Sequence, residues 1–191
     1  EQEPEAGLGS GGLGRLASCF LDSMASLHIP GHGCGIRYRY GMFRQKIVDG
    51  YQAELPDPWL KDGNVWEFRK PDKAVTVKFG GHIREEDVDG RRIFHHEGYQ
   101  PVLAVPYDMP VAGYRNKTVN TLRLWSAEVM PLDTEEGPYS NRDYVKDMEY
   151  RRAVEAISEI LYPDDSRYEG RVLRLKQQYF MVSAGLQSII R

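Results

Sequence analysis

The sequence predicts an α/β or α+β domain in which a β-rich middle separates two helical ends. Three observations predict it: a glycine-rich run before an apolar pattern of helical period, a middle block of alternating apolar and polar residues, and a long apolar stripe near the C-terminus. With 191 residues, the chain has room for one domain of ordinary size. We therefore divide it into residues 1–30, 31–130 and 141–191.

The first part is predicted to be a glycine-rich loop followed by one helix. Residues 1–14 are rich in Glu, Gly and Pro, and from Arg15 onward apolar side chains recur every three or four residues. These are Leu16, Phe20, Met24 and Leu27. Pro30 and Gly31 would end the helix. Because Cys19 falls within this pattern, we expect a buried, reduced thiol and a cytoplasmic protein.

The middle part is predicted to be antiparallel β-structure. Ile36, Tyr38 and Tyr40 alternate with arginines over residues 35–40, which indicates a strand, whereas residues 42–54 are compatible with a short helix. Further strands are expected at residues 73–79, 91–94, 101–107 and 118–129, and Asp89-Gly90 predicts a hairpin turn before residues 91–94. The connections between these strands are too short for crossover helices, so the strands should run antiparallel.

The last part is predicted to be two helices separated by a loop. The first helix covers residues 141–161, and the loop contains Pro163, Asp164, Asp165 and Ser166. The second helix, from about residue 170 to 190, carries an apolar stripe of regular helical period. The stripe consists of Val172, Leu175, Tyr179, Val182, Leu186 and Ile189. Such a stripe is more typical of a core than of an interface.

The glycine loop, Gly7–Gly14, indicates a binding site for an anion. It fits the pattern G-x-G-x-x-G twice, beginning at Gly7 and at Gly9. Glycine has no Cβ, so its backbone can approach a ligand closely, and the following helix directs its free N–H groups at the loop. A dinucleotide-binding fold is disfavoured because no apolar strand precedes the glycines. A phosphate group is the predicted ligand.

Other classes of site are disfavoured by the sequence. His95 and His96 would lie on opposite faces of a strand, so we expect no metal site there. The net charge is −3 and basic residues do not cluster, which argues against a nucleic-acid partner. No segment is long and apolar enough for a bilayer, so no membrane association is expected. Arg37, Arg39 and Arg123 are compatible with an anionic effector site or with salt bridges on a strand face.

Six blocks of the sequence resemble, in order, the N-terminal domain of the glycogen and maltodextrin phosphorylases. The blocks are EPEAGLGSGGLGRLA at 3–17, CFLDSMA at 19–25, GIRY at 35–38, TVNTLRLWSA at 118–127, LYPDD at 161–165 and LRLKQQYF at 173–180. They are distributed over nearly the whole chain. The resemblance identifies residues 1–191 as part of an α-glucan phosphorylase.

The resemblance implies a GT-B type enzyme, with two Rossmann-like domains and an active site between them. Such enzymes use inorganic phosphate to cleave terminal α-1,4 glucosyl units from a glucan, giving glucose 1-phosphate. Their cofactor is pyridoxal phosphate, whose phosphate group takes part in the chemistry. The lysine that carries it belongs to the second domain. We therefore expect this chain to be part of the first domain, with an antiparallel β excursion and C-terminal helices.

The resemblance also assigns residues of the glycine loop to the active site. Gly11, Gly12 and Leu13 match the stretch whose backbone amides face the phosphates and the glucosyl unit, and Gly12 also matches a contact to the cofactor. No catalytic residue is expected in this chain. Alone, it should be inactive and should not bind the cofactor.

Two further matches concern a loop and an interface. The loop at residues 163–166 matches the gate loop beside the catalytic site, in which Asp165 is the acidic residue and Ser166 replaces a common sugar-binding Asn. The helix Tyr144–Ile160 matches the helix that joins subunits in family dimers, so we expect a homo-oligomer. As an alternative function, the chain could be an autonomous module that binds a nucleotide or sugar phosphate at Gly7–Gly14.

Overall fold

The computed structural model describes residues 6–9, 11–131 and 144–190. The described helices are α1 (Gly11–Ser26), α2 (Tyr144–Glu155) and α3 (Tyr168–Ile190), with a short 3-10 turn at Ala156–Ser158 after α2. The helix expected from Arg15 thus begins earlier, because Gly11–Gly14 form its first turn. The start of the helix expected at residue 141 lies outside the described residues.

Nine strands lie within the described ranges. They are β1 (His32–Ile36), β2 (Arg44–Val48), β3 (Tyr51–Leu55), β4 (Phe68–Arg69), β5 (Val75–Phe79), β6 (His82–Val88), β7 (Arg91–Glu97), β8 (Gln100–Ala112) and β9 (Val119–Glu128). The strand expected at residues 35–40 is therefore displaced toward the N-terminus, and its pairing ends at Ile36.

Five strands form the central mixed sheet. Strand β8 pairs antiparallel with β9 on one side and with β5 and β4 on the other. Strand β1 lies at the edge and runs parallel to β9, with His32 opposite Thr121 and Ile36 opposite Trp125. The antiparallel prediction is confirmed for β5, β8 and β9. The parallel β1 makes the fold mixed α/β.

Helix α1 packs on one face of this sheet because β1 carries a glycine at every second position. A Cβ on Gly33 would lie 2.9 Å from a methyl carbon of Leu21 in α1, and one on Gly31 would lie 2.6 Å from the Met24 methyl. Alternate residues of a strand face opposite sides. Cys34 accordingly faces the other side, near Gly185 of α3.

Helices α2 and α3 cover that second face and form the main core with it. Phe180 and Ala184 of α3 are fully buried, as is Trp125 of β9. They share a cluster with Val154 of α2 and Ile157 of the following turn. The four large apolar side chains removed from water here, Trp125, Val154, Ile157 and Phe180, each stabilise the fold by about 1.5–3 kcal/mol.

The apolar stripe predicted on α3 lies on the outer side of this helix, not in the core. Leu175, Tyr179, Val182, Leu186 and Ile189 are between 49% and 78% exposed. The inward side uses other residues, chiefly Gln177, Phe180, Ala184 and Gly185. A helical period identifies a face of a helix, but it does not say which polypeptide covers that face.

Residues 42–54 do not form the helix that their sequence allowed. They lie in the hairpin β2–β3, whose turn Asp49-Gly50 has φ of 52° and 83°. Two positive φ angles make the tight turn that suits a two-residue hairpin. The short-helix prediction is therefore wrong.

The expectation of a buried Cys19 is also wrong, since this side chain is exposed on the outer side of α1. Leu16 and Phe20 of the same helix are 49% and 60% exposed. Only the side of α1 bearing Leu21, Met24 and Ala25 contacts the sheet.

Within the described ranges, no helix has the length and apolarity to cross a bilayer.

Candidate functional site

The glycine loop is fixed by backbone contacts that tolerate no side chain. A Cβ on Gly7 would lie 2.6 Å from Cα of Gly41 and 2.9 Å from Nε1 of Trp59. Trp59 is itself buried and donates its indole N–H to the Tyr38 carbonyl at 3.0 Å. Because these partners are backbone or buried side chain, Gly7 could not be replaced without moving the loop.

The second contact in the loop joins its two halves. A Cβ on Gly14 would lie 2.9 Å from the carbonyl carbon of Gly9, and a Cβ on Gly9 would lie 3.0 Å from Cα of Gly14. The first turn of α1 therefore packs directly on the preceding chain. Sequence analysis explained the glycines by close approach of a ligand, whereas Gly9 and Gly14 are required by close approach of the chain to itself.

The first turn of α1 leaves open space beside its backbone. A Cβ on Gly11 or Gly12 would meet no heavy atom within 4 Å, and Leu13 is 80% exposed. The first N–H groups of a helix have no partner within the helix. No acidic residue lies in this turn, so the positive end of the helix dipole is not neutralised by a carboxylate there. The geometry suits an anion.

A cavity of about 390 Å³ opens beside this turn, and we call it the glycine-loop cavity. Besides the loop itself, Arg15, Ser18, Phe43 and Asp57 contribute to its walls. Asp57 is 3.8 Å from the guanidinium of Arg44. Sequence reasoning missed Phe43 because it lies in the segment 42–54 that was taken as a possible helix, and it did not single out Asp57 just after that segment. Recognition of the Asp49-Gly50 turn would have placed them before and after a hairpin.

A second cavity, of about 560 Å³, adjoins the gate loop. Tyr162 and Ile160 form one wall, and Leu55 another. Residues 41–43 line both this cavity and the glycine-loop cavity. Residues 41–43 thus separate the glycine-loop cavity from a cavity that ends at Tyr162, the residue two positions before Asp164 of the gate loop.

The gate loop is held by local hydrogen bonds. The Asp164 carboxylate accepts the Ser166 backbone N–H at 3.2 Å and the Ser166 hydroxyl at 2.6 Å. The Asp165 carboxylate lies 3.9 Å from the Arg174 guanidinium and is largely exposed. The hydroxyl of Ser166, which was predicted to contact a sugar, therefore donates its hydrogen bond to the neighbouring Asp164 carboxylate.

Two of the three arginines considered for an effector site are engaged in ion pairs. Arg37 donates to Glu67 at 3.0 Å, and its guanidinium lies over the Tyr107 ring. Arg123 donates to both Asp108 oxygens, at 2.7 and 2.8 Å, and also to the Ser188 hydroxyl. Of the two interpretations, salt bridges on a strand face therefore describe Arg37 and Arg123.

The Arg123 cluster perturbs the neighbouring titratable groups. The hydrogen bond from Arg123 lowers the pKa of the Asp108 carboxyl. Burial, together with the Arg123 charge, lowers the pKa of His32. Burial raises the pKa of the Cys34 thiol. Through its bonds to Asp108 and Ser188, Arg123 links β8 and β9 to the C-terminal half of α3.

The predicted histidine pair is split as expected between the faces of the β6–β7 hairpin. His95 is 3.3 Å from Glu86, whereas a ring nitrogen of His96 contacts the Gly80 carbonyl at 2.7 Å. Across the described ranges, no three His, Cys, Asp or Glu side chains are grouped so as to hold a metal ion.

Comparison with known proteins gives a match along the whole chain. A family model described as carbohydrate phosphorylase matches residues 1–191. The glycogen phosphorylase of Bacillus subtilis is 57% identical over 188 residues, which are 98% of this chain and 22% of that protein. The Chlamydia pneumoniae glycogen phosphorylase is 50% identical and the human brain form 51%, each over 100% of this chain. This chain spans 23% and 22% of those two proteins, about a fifth of the length of its relatives.

Proposed function

The chain belongs to the carbohydrate phosphorylase family, and we propose that it supplies one wall of the active site of an α-glucan phosphorylase. The enzyme would transfer the terminal α-1,4-linked glucosyl unit of glycogen or maltodextrin to inorganic phosphate. The observation that carries the proposal is the open first turn of α1, where Gly12 has free space beside amides that have no partner within the helix. In a family of phosphate-using enzymes, this is the place for a phosphate.

Within this function, the backbone amides of Gly11, Gly12 and Leu13 would bind phosphate groups and orient the glucosyl unit. The absence of a Cβ on Gly12 leaves room for a phosphate of pyridoxal phosphate as well. When bound, that cofactor supplies a phosphate group as a proton carrier beside the substrate phosphate. The chain contributes dipoles and shape rather than acids or bases, so we propose that it has no activity by itself.

On the other side of the shared wall, the gate loop would control access to the site. Asp165 is exposed and only loosely held by Arg174, so its carboxylate can leave that position at little cost. A negative group near the entrance would oppose binding of phosphate until it moves. We propose this role for Asp165, with Ser166 as an adjacent residue.

The remaining features of the proposal concern the wider protein. The parallel pair β1–β9, with helices on both faces, supports a Rossmann-like N-terminal domain of GT-B type for residues 1–191. Exposed Tyr144 and Val145 on α2 support subunit contacts through residues 144–160. Light scattering would test these contacts, because a monomer at all concentrations would contradict them. The free thiols of Cys19 and Cys34 support a cytoplasmic location.

The decisive experiment changes Gly12 to alanine in the full-length protein. A Cβ there meets no protein atom, so folding should be preserved and α1 favoured by about 0.5–1 kcal/mol. We expect kcat/KM for phosphate to fall by about tenfold or more, because the methyl group holds the anion away from its amide donors.

Gly185→Ala is the matched control, since it also adds a methyl to a helix and meets only Cys34 Sγ, at 3.8 Å. Its phosphorolysis should equal that of the unchanged protein. Equal rates for all three proteins would refute the role of the α1 N-terminus. Micromolar binding of nucleotides by the isolated chain, measured by calorimetry, would instead favour the autonomous module, which the whole-chain family match does not favour.

A further inference from the structure

Gly170, in the first turn of α3, packs against the backbone of the gate loop. A Cβ on this residue would overlap the carbonyl oxygen of Asp164, and it would lie 2.6 Å from the carbonyl carbon and 3.2 Å from the Asp165 nitrogen. These partners are main-chain atoms, which cannot rotate away as the end of a side chain can. The contact therefore requires glycine for steric reasons.

The other ties of the gate loop are weaker. The Arg167–Asp164 and Arg174–Asp165 pairs are 3.6 and 3.9 Å apart, and three of these four side chains are more than 60% exposed. Exposed ion pairs contribute about 0–1 kcal/mol each. The Ser166 hydroxyl bond to Asp164 is likewise at the surface. The backbone contact with Gly170 is not an exposed polar interaction, so solvent and salt do not weaken it.

We propose that Gly170 is a positioning residue: it lets the gate loop close on the first turn of α3 and so sets where the Asp165 carboxylate lies. A methyl group at position 170 would move the backbone of Asp164, and Asp165 would follow because it is the next residue. The effect on the loop stands on the structure alone. The effect on turnover rests on the gate role proposed above.

The test uses Gly170→Ala in the full-length protein, with Gly185→Ala as the control in the same helix. Hydrogen exchange of the backbone amides of residues 164–167 should become about tenfold faster in Gly170→Ala, because the loop loses its packing. The Gly185 variant should exchange like the unchanged protein, since its new methyl makes only an ordinary contact. Equal exchange in all three proteins would overturn the proposal.

A second variant keeps the proposal testable if Gly170→Ala fails to fold. Arg174→Met removes the ion pair to Asp165 and leaves the Gly170 contact in place. Exchange of residues 164–167 should then stay within about threefold of the unchanged protein. A tenfold increase would show that the ion pair, not Gly170, holds the loop.

Kinetics separate this inference from the proposed function. If Gly170 acts through Asp165, KM for the glucan or for phosphate should change at least about threefold in Gly170→Ala, with no change in Gly185→Ala. Faster loop exchange with unchanged KM and kcat would support Gly170 as the residue that positions the loop. It would also refute the gate role of Asp165.

Discussion

Helices α1 and α3 begin in opposite chemical surroundings. The first turn of α1 reads Gly-Gly-Leu-Gly and has no acidic residue, whereas α3 has Glu169 in its first turn and follows Asp164 and Asp165. Carboxylates near a helix N-terminus interact favourably with its positive end. The start of α3 is thus supplied with negative charge by its own chain. The first turn of α1 has no carboxylate, so a negatively charged ligand can provide this interaction instead.

The two starts also differ in how they are held. The α1 turn is fixed by the backbone contact between Gly9 and Gly14, which leaves no freedom for a shift. The loop before α3 depends on exposed side chains and on one backbone contact at Gly170. A rigid start suits a binding site that must be preorganised, and an adjustable one suits a segment that has to move.

The sharpest way to break this comparison is to give α1 its own carboxylate. Gly12→Asp should lower phosphorolysis by the full-length protein by about 100-fold or more, because two negative charges about 4 Å apart repel by several kcal/mol in a partly buried site. Gly12→Asn adds nearly the same volume without charge, so its rate of phosphorolysis should fall much less. Initial rates at saturating glucan measure both. Equal losses would mean that shape alone, not charge, matters at this turn.

A second substitution tests the rigidity of α1. Gly14→Ala should destabilise the protein by about 1–3 kcal/mol, since its methyl would meet the Gly9 backbone in a tightly packed place. Gly12→Ala, two residues earlier, should not be destabilising. Urea unfolding followed by fluorescence provides the comparison. If Gly14→Ala unfolds at the same urea concentration as Gly12→Ala, the Gly9 contact is not a rigid one.

On the α3 side, removal of a carboxylate should have a smaller effect. Asp164→Ala loses the hydrogen bonds to Ser166 and should lower the local stability of the first turn by about 0.5–1.5 kcal/mol. The Arg171 amide, which bonds to the Arg167 carbonyl at 3.1 Å, reports this through its exchange rate. Asp164→Asn keeps an acceptor oxygen, so its Arg171 exchange rate should lie between those of the unchanged protein and Asp164→Ala. An unchanged rate in Asp164→Ala would show that the turn does not depend on this carboxylate.

The smallest effect is expected at Ser166. In Ser166→Asn, the longer amide side chain can still donate to Asp164, so KM for the glucan should stay within about threefold of the unchanged protein. Steady-state kinetics with a glucan as the varied substrate would measure it. A tenfold drop in KM would instead indicate that an amide at this position reaches a sugar hydroxyl.

The two hairpins show what could be predicted from sequence and what could not. Both close over Asp-Gly with two positive φ angles, at Asp49-Gly50 and at Asp89-Gly90. The second was predicted as a hairpin and the first was taken as a possible helix. The strands of the first hairpin are almost wholly exposed, with Ile47 82% and Tyr51 79% accessible, so no alternation of apolar and polar residues marks them. The turn was the one usable signal.

Part of the candidate site can be predicted from local composition. Five glycines before a helix indicate an anion loop without knowledge of the fold, and the structure places Gly11, Gly12 and Leu13 at an open helix start. The packing of Gly7 on Gly41 and Trp59 was not predictable, because these residues are distant in sequence and meet only through the fold. For the same reason, the sequence could not predict that residues 41–43 line both cavities.

The glycines of β1 have a consequence for distances elsewhere in the molecule. Gly31, just before β1, and Gly33 within it let α1 pack directly on the backbone, so the distance between helix and sheet is set by hydrogen atoms rather than by methyl groups. Helix α1 has 16 residues and is about 24 Å long. A methyl group at Gly31 or Gly33, between the strand and the C-terminal part of α1, would tilt the helix. The far end, which carries the open amides, would then swing away from the cavity it faces.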